Sequence, residues 1–558
     1  MGKMADVIYK AKLLHSLVKV FSDEEPKSEP MCNRFTSLKN ETVSFQIALS
    51  KNGKRSERLF VEVEYELKEC LHIRTVENVP VQYPAHPKFD DNYLRTAPGL
   101  YPDILRELWQ NTVLVVPGQW RALWIDVEIS PHADAGTYPI CISFFDSNSE
   151  MVCSVSAEIT VYDAVLPEQK LIQTQWFHCD CLAEYYGVEV FSEDFWEIVR
   201  NFIKTYVKRG FNMILTPIFT PPLDTAVGGE RKTVQLVQVR VSDGVYHFDF
   251  SNLKRWVNLC RENGIKYFEM SHLFTQWGAA HAPKIMATVD GEYRRIFGWE
   301  TNIQDGEYAA FLDAFLPRLI AFLKEEGIAQ DTYFHISDEP NLEMLESYAA
   351  AKSLVAHHLR EFKIIDALSE YDFYETGLLD RVVCANNRIH RFLDKNVENM
   401  WVYYCTSQWK DVSNRFISMP SARTRIYGIQ LYRYNIEGTL HWGYNFYNSQ
   451  HSRFAIDPYQ VTDAGCAFPA VDPFIVYPGA DKRPEESLRL MILQEAVCDL
   501  RALQMLESLT SREYVIGLIE EDLSEPLTFL SYPKSDWYIL SLRNKVNKEI
   551  AQRINAAL

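Results

Sequence analysis

The stretch TYFHISDEP, residues 332–340, is the part of this chain from which its fold can be worked out. It is a short run of β-forming residues that delivers two adjacent carboxylates, Asp338 and Glu339, before Pro340 stops the strand. Two acids held side by side repel each other, so one of them should keep its proton near neutral pH. For this motif alone, the simpler explanation is an ordinary strand end with two solvated acids. Its meaning depends on where the strand lies in the chain.

This strand is one of a series. The eight strand candidates are 171–177, 212–217, 266–272, 332–337, 363–368, 381–386, 400–405 and 439–444. Amphipathic stretches lie between many of them; the first places Phe195, Ile198, Phe202 and Tyr206 at helical spacing, with Ser192 as its N-cap. Strands with helical crossovers predict an α/β fold, a (β/α)8 TIM-like barrel. A doubly wound sheet is the competing architecture, because the connection between the fifth and sixth strands looks too short for a long helix.

The segment before the barrel has a different pattern. Val43, Phe45, Ile47 and Leu49 alternate with more polar neighbours, and several later segments repeat this period of two. Strands with one wet face, separated by turn residues, predict an N-terminal antiparallel β-sandwich. We therefore expect a sandwich domain at 1–168, the barrel at 169–510 and a mainly helical C-terminal extension at 511–558.

Charge and composition limit the partners of this chain. Its 558 residues carry a formal net charge of −18, which argues against nucleic acid and anionic membranes as partners. No run of eighteen apolar residues and no secretory signal is present in the sequence, so we expect a cytoplasmic protein without a membrane partner. A small glycan or glycoconjugate is compatible with this charge and with the 13% aromatic content. The oligomeric state stays open.

The carboxyl ends of the strands carry residues that suit a carbohydrate pocket. In parallel barrels the chemistry lies at this end, where the loops after the strands meet. The substrate-binding candidates there are Trp176, His272, Trp277, Tyr404, Trp442 and Asn445. Trp442 is expected to form the floor under a sugar ring, because pyranose rings pack on aromatic faces. Since the later strands lack a matching set of metal ligands, we expect neither a metal nor another cofactor.

Several motifs together resemble glycoside hydrolase family 123. They are Ser-Asp-Glu-Pro at 337–340, Leu-His-Trp-Gly-Tyr-Asn at 440–445, Tyr-Pro-Gly at 477–479, and a final helix with Ser487, Arg489 and Glu495. The resemblance spans most of the chain, and the acid pair and the Trp-containing eighth strand are its most specific parts. It implies a β-N-acetylgalactosaminidase that retains configuration without a protein nucleophile.

The resemblance gives the two acids distinct roles. Glu339 would be the general acid and then the general base, and Asp338 would hold the substrate's acetamido group while that group attacks the anomeric carbon. An ionised Asp338 should keep its neighbour Glu339 protonated, as an acid must be.

Three other functions remain open. A conventional retaining glycosidase would use a further acid, such as Asp180 or Glu375, as its nucleophile. A metal-dependent hydrolase is suggested by His178 and Asp180 at the end of the first strand. A non-catalytic carbohydrate-binding protein would use the same aromatic surfaces without turnover.

Overall fold

The computed structural model describes residues 8–27, 33–67, 70–379 and 381–557. Contacts within the chain define two compact units. The first unit takes in Met1–Lys170, Trp409–Tyr434 and Glu485–Leu558, and the second takes in Leu171–Gln408 and Asn435–Pro484. A search of the described helices finds none with the length and apolar character needed to cross a lipid bilayer.

Two β-sheets form the N-terminal part of the first unit. Their strands are β1 (Tyr9–His15), β2 (Arg34–Lys39), β3 (Glu41–Lys51), β4 (Glu57–Glu64), β5 (Leu71–Val81), β6 (Gly99–Glu107), β7 (Thr112–Val115), β8 (Trp120–Ile129), β9 (Gly136–Phe145) and β10 (Met151–Val165). One sheet contains the order β1-β3-β8-β5-β6 and the other has the order β2-β10-β9-β4-β7. Phe45 of one sheet and Ile159 of the other belong to a single apolar core. The sheets therefore form a sandwich, in which β2 and β10 run parallel.

Strand β3 is buried on both faces, although its alternation predicts one solvated face. Phe45 points into the shared core, and the polar Ser44 and Gln46 on the other face are buried as well. Ser44 Oγ donates a hydrogen bond to Asp126 Oδ1 at 2.6 Å, and Gln46 Nε2 donates one to the carbonyl of Val18 at 2.6 Å. These two hydrogen bonds lower the cost of covering the second face, although Gln46 Oε1 makes no hydrogen bond with the described residues.

The second unit is built around a closed ring of strands. Its strands are β11 (Ile172–Gln175), β12 (Met213–Thr216), β13 (Gln238–Ser242), β14 (Val245–Asp249), β15 (Tyr267–Met270), β16 (Ile285–Val289), β17 (Glu292–Phe297), β18 (Thr332–Phe334), β19 (Lys363–Ala367), β20 (Arg381–Ala385), β21 (Trp401–Tyr403), β22 (Gly438–His441) and β23 (Val476–Pro478). The order β11-β12-β15-β18-β19-β20-β21-β22 is parallel throughout, and the ring closes where β22 pairs with β11. All eight predicted strand segments are confirmed as barrel strands, and closure excludes the doubly wound alternative.

Helices occur in both units. The second unit contains α1 (Cys179–Tyr185), α2 (Glu193–Lys208), α3 (Ser251–Glu262), α4 (Gly306–Glu325), α5 (Leu345–Val355), α6 (Tyr371–Tyr374) and α7 (His390–Asp394), and the first contains α8 (Ser421–Arg433), α9 (Leu488–Leu509), α10 (Arg512–Glu520) and α11 (Asp536–Ala557). Short 3-10 helices span Ala329–Asp331, Leu342–Met344 and Gln450–Ser452, and β24 (Pro484–Ser487) pairs with β6. Helix α2 begins as predicted, since Ser192 Oγ accepts the backbone N–H of Phe195 at 3.2 Å.

The prediction of a (β/α)8 TIM-like barrel is wrong. The second unit contains a closed barrel of eight parallel strands together with a separate four-stranded sheet, β14-β13-β16-β17, and it lacks the regular alternation of strand and helix. Helices α6 and α7, after β19 and β20, have only 4 and 5 residues. Most of the described residues of these two connections are turns or irregular backbone, so no long helix follows either strand. The sheet insertions occupy the longer connections before β15 and before β18.

Candidate active site

The two adjacent acids lie in a tight turn just past the carboxyl end of β18. The strand ends at Phe334, and Glu339 in the turn has a φ of 47°, in the left-handed region that residues other than glycine rarely adopt. Strict strand alternation would send the side chains of Asp338 and Glu339 to opposite faces. Because the strand has ended and the backbone turns here, both acids line the same cavity.

Hydrogen bonds from a neighbouring loop hold this turn in place. Ser337 Oγ donates to the carbonyl of Thr275 at 2.9 Å. The backbone N–H of Trp277 donates to the carbonyl of Asp338 at 3.4 Å. The loop after β15 therefore fixes the position of the acid pair and brings Trp277 beside it.

The cavity has a volume of about 150 Å³. Its lining residues are Trp176, His178, Leu223, Asp224, Gln276, Trp277, Asp338, Glu339, Ala367, Tyr403, Cys405, Thr406, Leu440, Trp442, Phe446 and Phe468. Flat apolar walls with a few convergent polar groups are typical of a pocket that binds a sugar ring.

The surroundings of Asp338 oppose its ionisation. Burial raises the pKa of Asp338 well above its usual range, the negative charge of Glu339 raises it further, and the positive charge of His335 opposes both effects. The sequence led us to expect an ionised Asp338. Burial, which the dipeptide alone does not reveal, works against that ionisation.

Glu339 is held by a tyrosine from β21. The hydroxyl of Tyr403 donates to Glu339 Oε1 at 2.8 Å. Ser369 Oγ lies 3.3 Å from the same tyrosine oxygen and can donate to it, since the tyrosine proton is already used. This chain of hydroxyl groups holds the Glu339 carboxyl group in one orientation.

A buried charged network lies in the barrel beside the acid pair. His335 Nε2 lies 2.5 Å from Glu269 Oε1, and His335 Nδ1 lies 3.0 Å from Asp366 Oδ1. Burial alone would lower the pKa of His335, but hydrogen bonds to Asp366 and Glu269 and their charges outweigh it and raise the pKa to about 10. The imidazole is therefore a cation at neutral pH. Glu269 also accepts the indole N–H of Trp176 at 2.7 Å, which links the network to the cavity wall.

The structure brings five of the eight predicted site residues into the cavity lining. They are Trp176, Trp277, Asp338, Glu339 and Trp442. His272, Tyr404 and Asn445 are buried and do not line the cavity.

Each of these three residues has other contacts. The ring of His272 stacks on His335 at 4.2 Å between centroids, and Tyr404 packs edge-on against His441 at 5.4 Å. Asn445 accepts the backbone N–H of His178 at 2.9 Å and donates to its carbonyl at 3.0 Å, so it braces two loops.

The structure also shows what surrounds the rival candidates. Asp180 is in a buried ion pair with Arg231 at 2.8 Å, and Arg231 also reaches His178 Nδ1 at 3.0 Å, so a cation already occupies the proposed metal ligands. Neither Asp180 nor Glu375 lines the cavity. His272, His335 and Asp366 are close enough to share an ion, but the histidine rings stack with only 15° between their planes. Ligand lone pairs lie in the ring plane, so two stacked rings cannot point at one ion.

Several residues that line this cavity are not among the site residues selected from the sequence. Tyr403 ends its strand and adjoins the predicted Tyr404, so only the phase of the strand separates them. Asp224 and Gln276 lie in loops several residues beyond the ends of β12 and β15, where no strand pattern marks them.

A closed parallel barrel whose carboxyl end holds paired acids and three tryptophans in one small cavity is typical of a glycoside hydrolase. The model of the catalytic domain of glycoside hydrolase 123 matches residues 176–506, more than half of the chain. The chain therefore belongs to glycoside hydrolase family 123, as its motifs predicted, and is a glycosidase.

Comparison with solved structures supports the fold. A family 123 glycoside hydrolase from Clostridium perfringens, described in connection with glycolipid glycan hydrolysis, is similar with a TM-score of 0.73, 15% identity and 98% coverage of both chains. A β-glucuronidase from Bifidobacterium dentium is much less similar, with a TM-score of 0.32, 9% identity, and coverage of 88% of this chain and 67% of that one. No curated protein matches the chain in sequence.

Proposed function

We propose that this glycosidase removes terminal β-linked N-acetylgalactosamine and retains the configuration of the sugar, with the substrate's acetamido group as the nucleophile. The observation that carries the proposal is that Asp338 and Glu339 line one cavity of about 150 Å³. A cavity of this size suits one terminal sugar. The relative from Clostridium perfringens is described as acting on a glycolipid glycan, which makes glycolipids one candidate source of that sugar.

The reaction proceeds in two steps. Glu339 donates its proton to the glycosidic oxygen as the bond to the anomeric carbon breaks, and the acetamido oxygen attacks that carbon from the opposite face. The product is an oxazolinium ion, and Asp338 accepts a hydrogen bond from its N–H and stabilises its positive charge. Glu339 then takes a proton from water, which attacks the anomeric carbon and reopens the ring with net retention. This route is the substrate-assisted exception to the usual pair of protein carboxylates.

Substrate binding accounts for the position of the proton. The pKa of Asp338 is raised by burial and by the negative charge of Glu339, which favours a protonated Asp338 before the sugar binds. An acetamido N–H that donates to Asp338 stabilises its ionised form. The proton then moves to Glu339, where the first step needs it. Binding of a 2-acetamido sugar thus favours protonation of Glu339. A 2-hydroxy sugar in the same place favours it less.

Steady-state kinetics with aryl glycosides test the proposal. The parent should hydrolyse an aryl β-N-acetylgalactosaminide and leave the aryl β-galactoside intact. Glu339→Gln should lose about 10²- to 10⁴-fold in kcat/KM with a poor leaving group and much less with an activated one. Asp338→Asn should lose activity with both, because it acts on the intermediate. Glu343→Gln, the same change at a nearby exposed position, is the matched control.

Three results would contradict the proposal. Equal activity of either acid variant and the parent would remove the assigned roles. A covalent sugar–protein adduct trapped with a fluorosugar would instead favour a conventional retaining glycosidase, whereas tight binding of a thiazoline analogue of the intermediate favours the substrate-assisted route. Sugar binding measured by calorimetry without turnover would favour a non-catalytic carbohydrate-binding protein.

A further inference from the structure

Asp224 presents a fixed and incompletely bonded carboxylate to the cavity. It lines the same cavity as the acid pair, and its side chain is 17% exposed. Its Oδ2 accepts the backbone N–H of His451 at 3.0 Å. Its Oδ1 lies 3.5 Å from His451 Nδ1, within ion-pair distance, but that nitrogen makes no hydrogen bond with the residues that the structure describes. One carboxylate oxygen is thus held in place and the other is free to accept a hydrogen bond.

The position of Asp224 is set from three sides. Its backbone N–H donates to Gln276 Oε1 at 2.8 Å, and its carbonyl accepts the hydroxyl of Ser452 at 2.7 Å. The carbonyl of His451 accepts the backbone N–H of Ala226 at 3.0 Å, which ties the loop after β12 to the loop after β22. Asp224 itself has a φ of 38°, a conformation that needs such support. A carboxylate held this firmly is preorganised, so a ligand does not have to order it on binding.

The chemistry of this group favours a hydroxyl donor. Burial raises the pKa of Asp224, which shows that water only partly solvates it. A carboxylate with one unpaired oxygen in a cavity walled by tryptophan is the usual partner of an uncharged O–H group, since that hydrogen bond is charge-assisted. The acid pair already accounts for the groups on C1 and C2 of the sugar, which leaves the hydroxyls on C3, C4 and C6.

We propose that Asp224 binds one hydroxyl on C3, C4 or C6 of the terminal sugar and that this contact determines which sugar the enzyme accepts. The inference rests on the proposed function, since it takes the sugar to be oriented by the acid pair. It separates two tasks within one cavity. Asp338 and Glu339 carry out the chemistry at C1 and C2, and Asp224 identifies the rest of the ring.

The test combines three deoxy substrates with one variant in a double-mutant cycle. Aryl β-N-acetylgalactosaminide and its 3-, 4- and 6-deoxy analogues are assayed with the parent and with Asp224→Asn, which keeps one oxygen for the His451 N–H. In the parent, one deoxy analogue should lose about 10²-fold in kcat/KM, the loss expected for a hydrogen bond to a charged group. In Asp224→Asn that penalty should fall below about 3-fold, while the effects of the other two deletions persist. Asp243→Asn, the same change at an exposed turn, should behave as the parent does.

The outcomes distinguish this inference from the function on which it rests. If the parent fails to turn over the full substrate, the proposed function fails and takes the inference with it. If the parent is active but no deoxy analogue loses more than about 3-fold, Asp224 binds no hydroxyl; this result needs no variant. The inference also fails alone if the penalties are unchanged in Asp224→Asn. If that variant loses all substrates equally and azide restores its turnover as a glycosyl azide, Asp224 is a nucleophile instead.

Discussion

Removing the buried cation at His335 should destabilise the barrel strongly. His335→Gln leaves the carboxylates of Glu269 and Asp366 buried without the positive charge that lies between them. Because one pKa unit is worth about 1.4 kcal/mol, the rise from 6.5 to about 10 corresponds to about 5 kcal/mol of stabilisation. Breaking a buried ion pair by removing one partner typically costs about 3–5 kcal/mol. We therefore expect a loss of about 3–5 kcal/mol at pH 7.

The stabilisation of the fold by His335 should depend on pH. A histidine whose pKa is raised on folding contributes its full stabilisation below about pH 6.5 and loses it as the pH rises through about 10. The stability of the parent should therefore approach that of His335→Gln between pH 7 and pH 10. Urea unfolding followed by tryptophan fluorescence, at several pH values in this range, measures the difference between the two proteins.

Two controls make the result specific. The triple variant Glu269→Gln, His335→Gln, Asp366→Asn removes the uncompensated charges and should recover part of the stability. His247→Gln, at an exposed strand position, should leave it unchanged. A variant as stable as the parent at pH 7, or a difference that stays constant up to pH 10, would refute the idea that His335 is a buried cation.

Two further predictions concern the acid and the first unit. Tyr403→Phe removes the hydroxyl that donates to Glu339 Oε1, so kcat/KM with an aryl substrate should fall about 10- to 100-fold, the loss expected for a hydrogen bond to a charged group; a fall below about 3-fold would show that the contact is not used. Gly428→Ala should destabilise the first unit by several kcal/mol or prevent folding, because a Cβ at this position of α8 overlaps the carbonyl oxygen of Ala496 in α9. Gly517→Ala, a helical glycine with open space around it, is the matched control and should raise the melting temperature slightly. Equal melting temperatures for the parent and Gly428→Ala would contradict the close packing of these helices.

Reasoning from sequence found the strands of the barrel but not the pattern of its connections. Each barrel strand is a short apolar run, and such runs are visible in the sequence whatever lies between them. The connection that holds the four-residue α6 was expected to be too short for a long helix. The five-residue α7 was not expected, since a short amphipathic segment does not show how long its helix will be. In β3, the buried Ser44 and Gln46 depend on partners far away in sequence, which no local pattern contains.

The same limits apply to the site. The acid pair and three tryptophans could be found because they lie at strand ends, where the barrel concentrates its chemistry. The choice of Tyr404 over Tyr403 shows that the strand phase must be known to one residue, because neighbouring side chains face opposite sides. Asp224 could not be found from the sequence. It reaches the cavity from the loop after β12, which is held in place by the loop after β22.

The left-handed backbone conformation at Glu339 lowers the stability of the fold. A glutamate with a φ of 47° lowers the free energy of unfolding by about 1 kcal/mol relative to glycine at the same position. On the proposed function, substitution of Glu339 by glycine should relieve this strain and abolish turnover, and it also removes the hydrogen bond from Tyr403. The chain thus carries a glutamate at a position whose backbone conformation favours glycine.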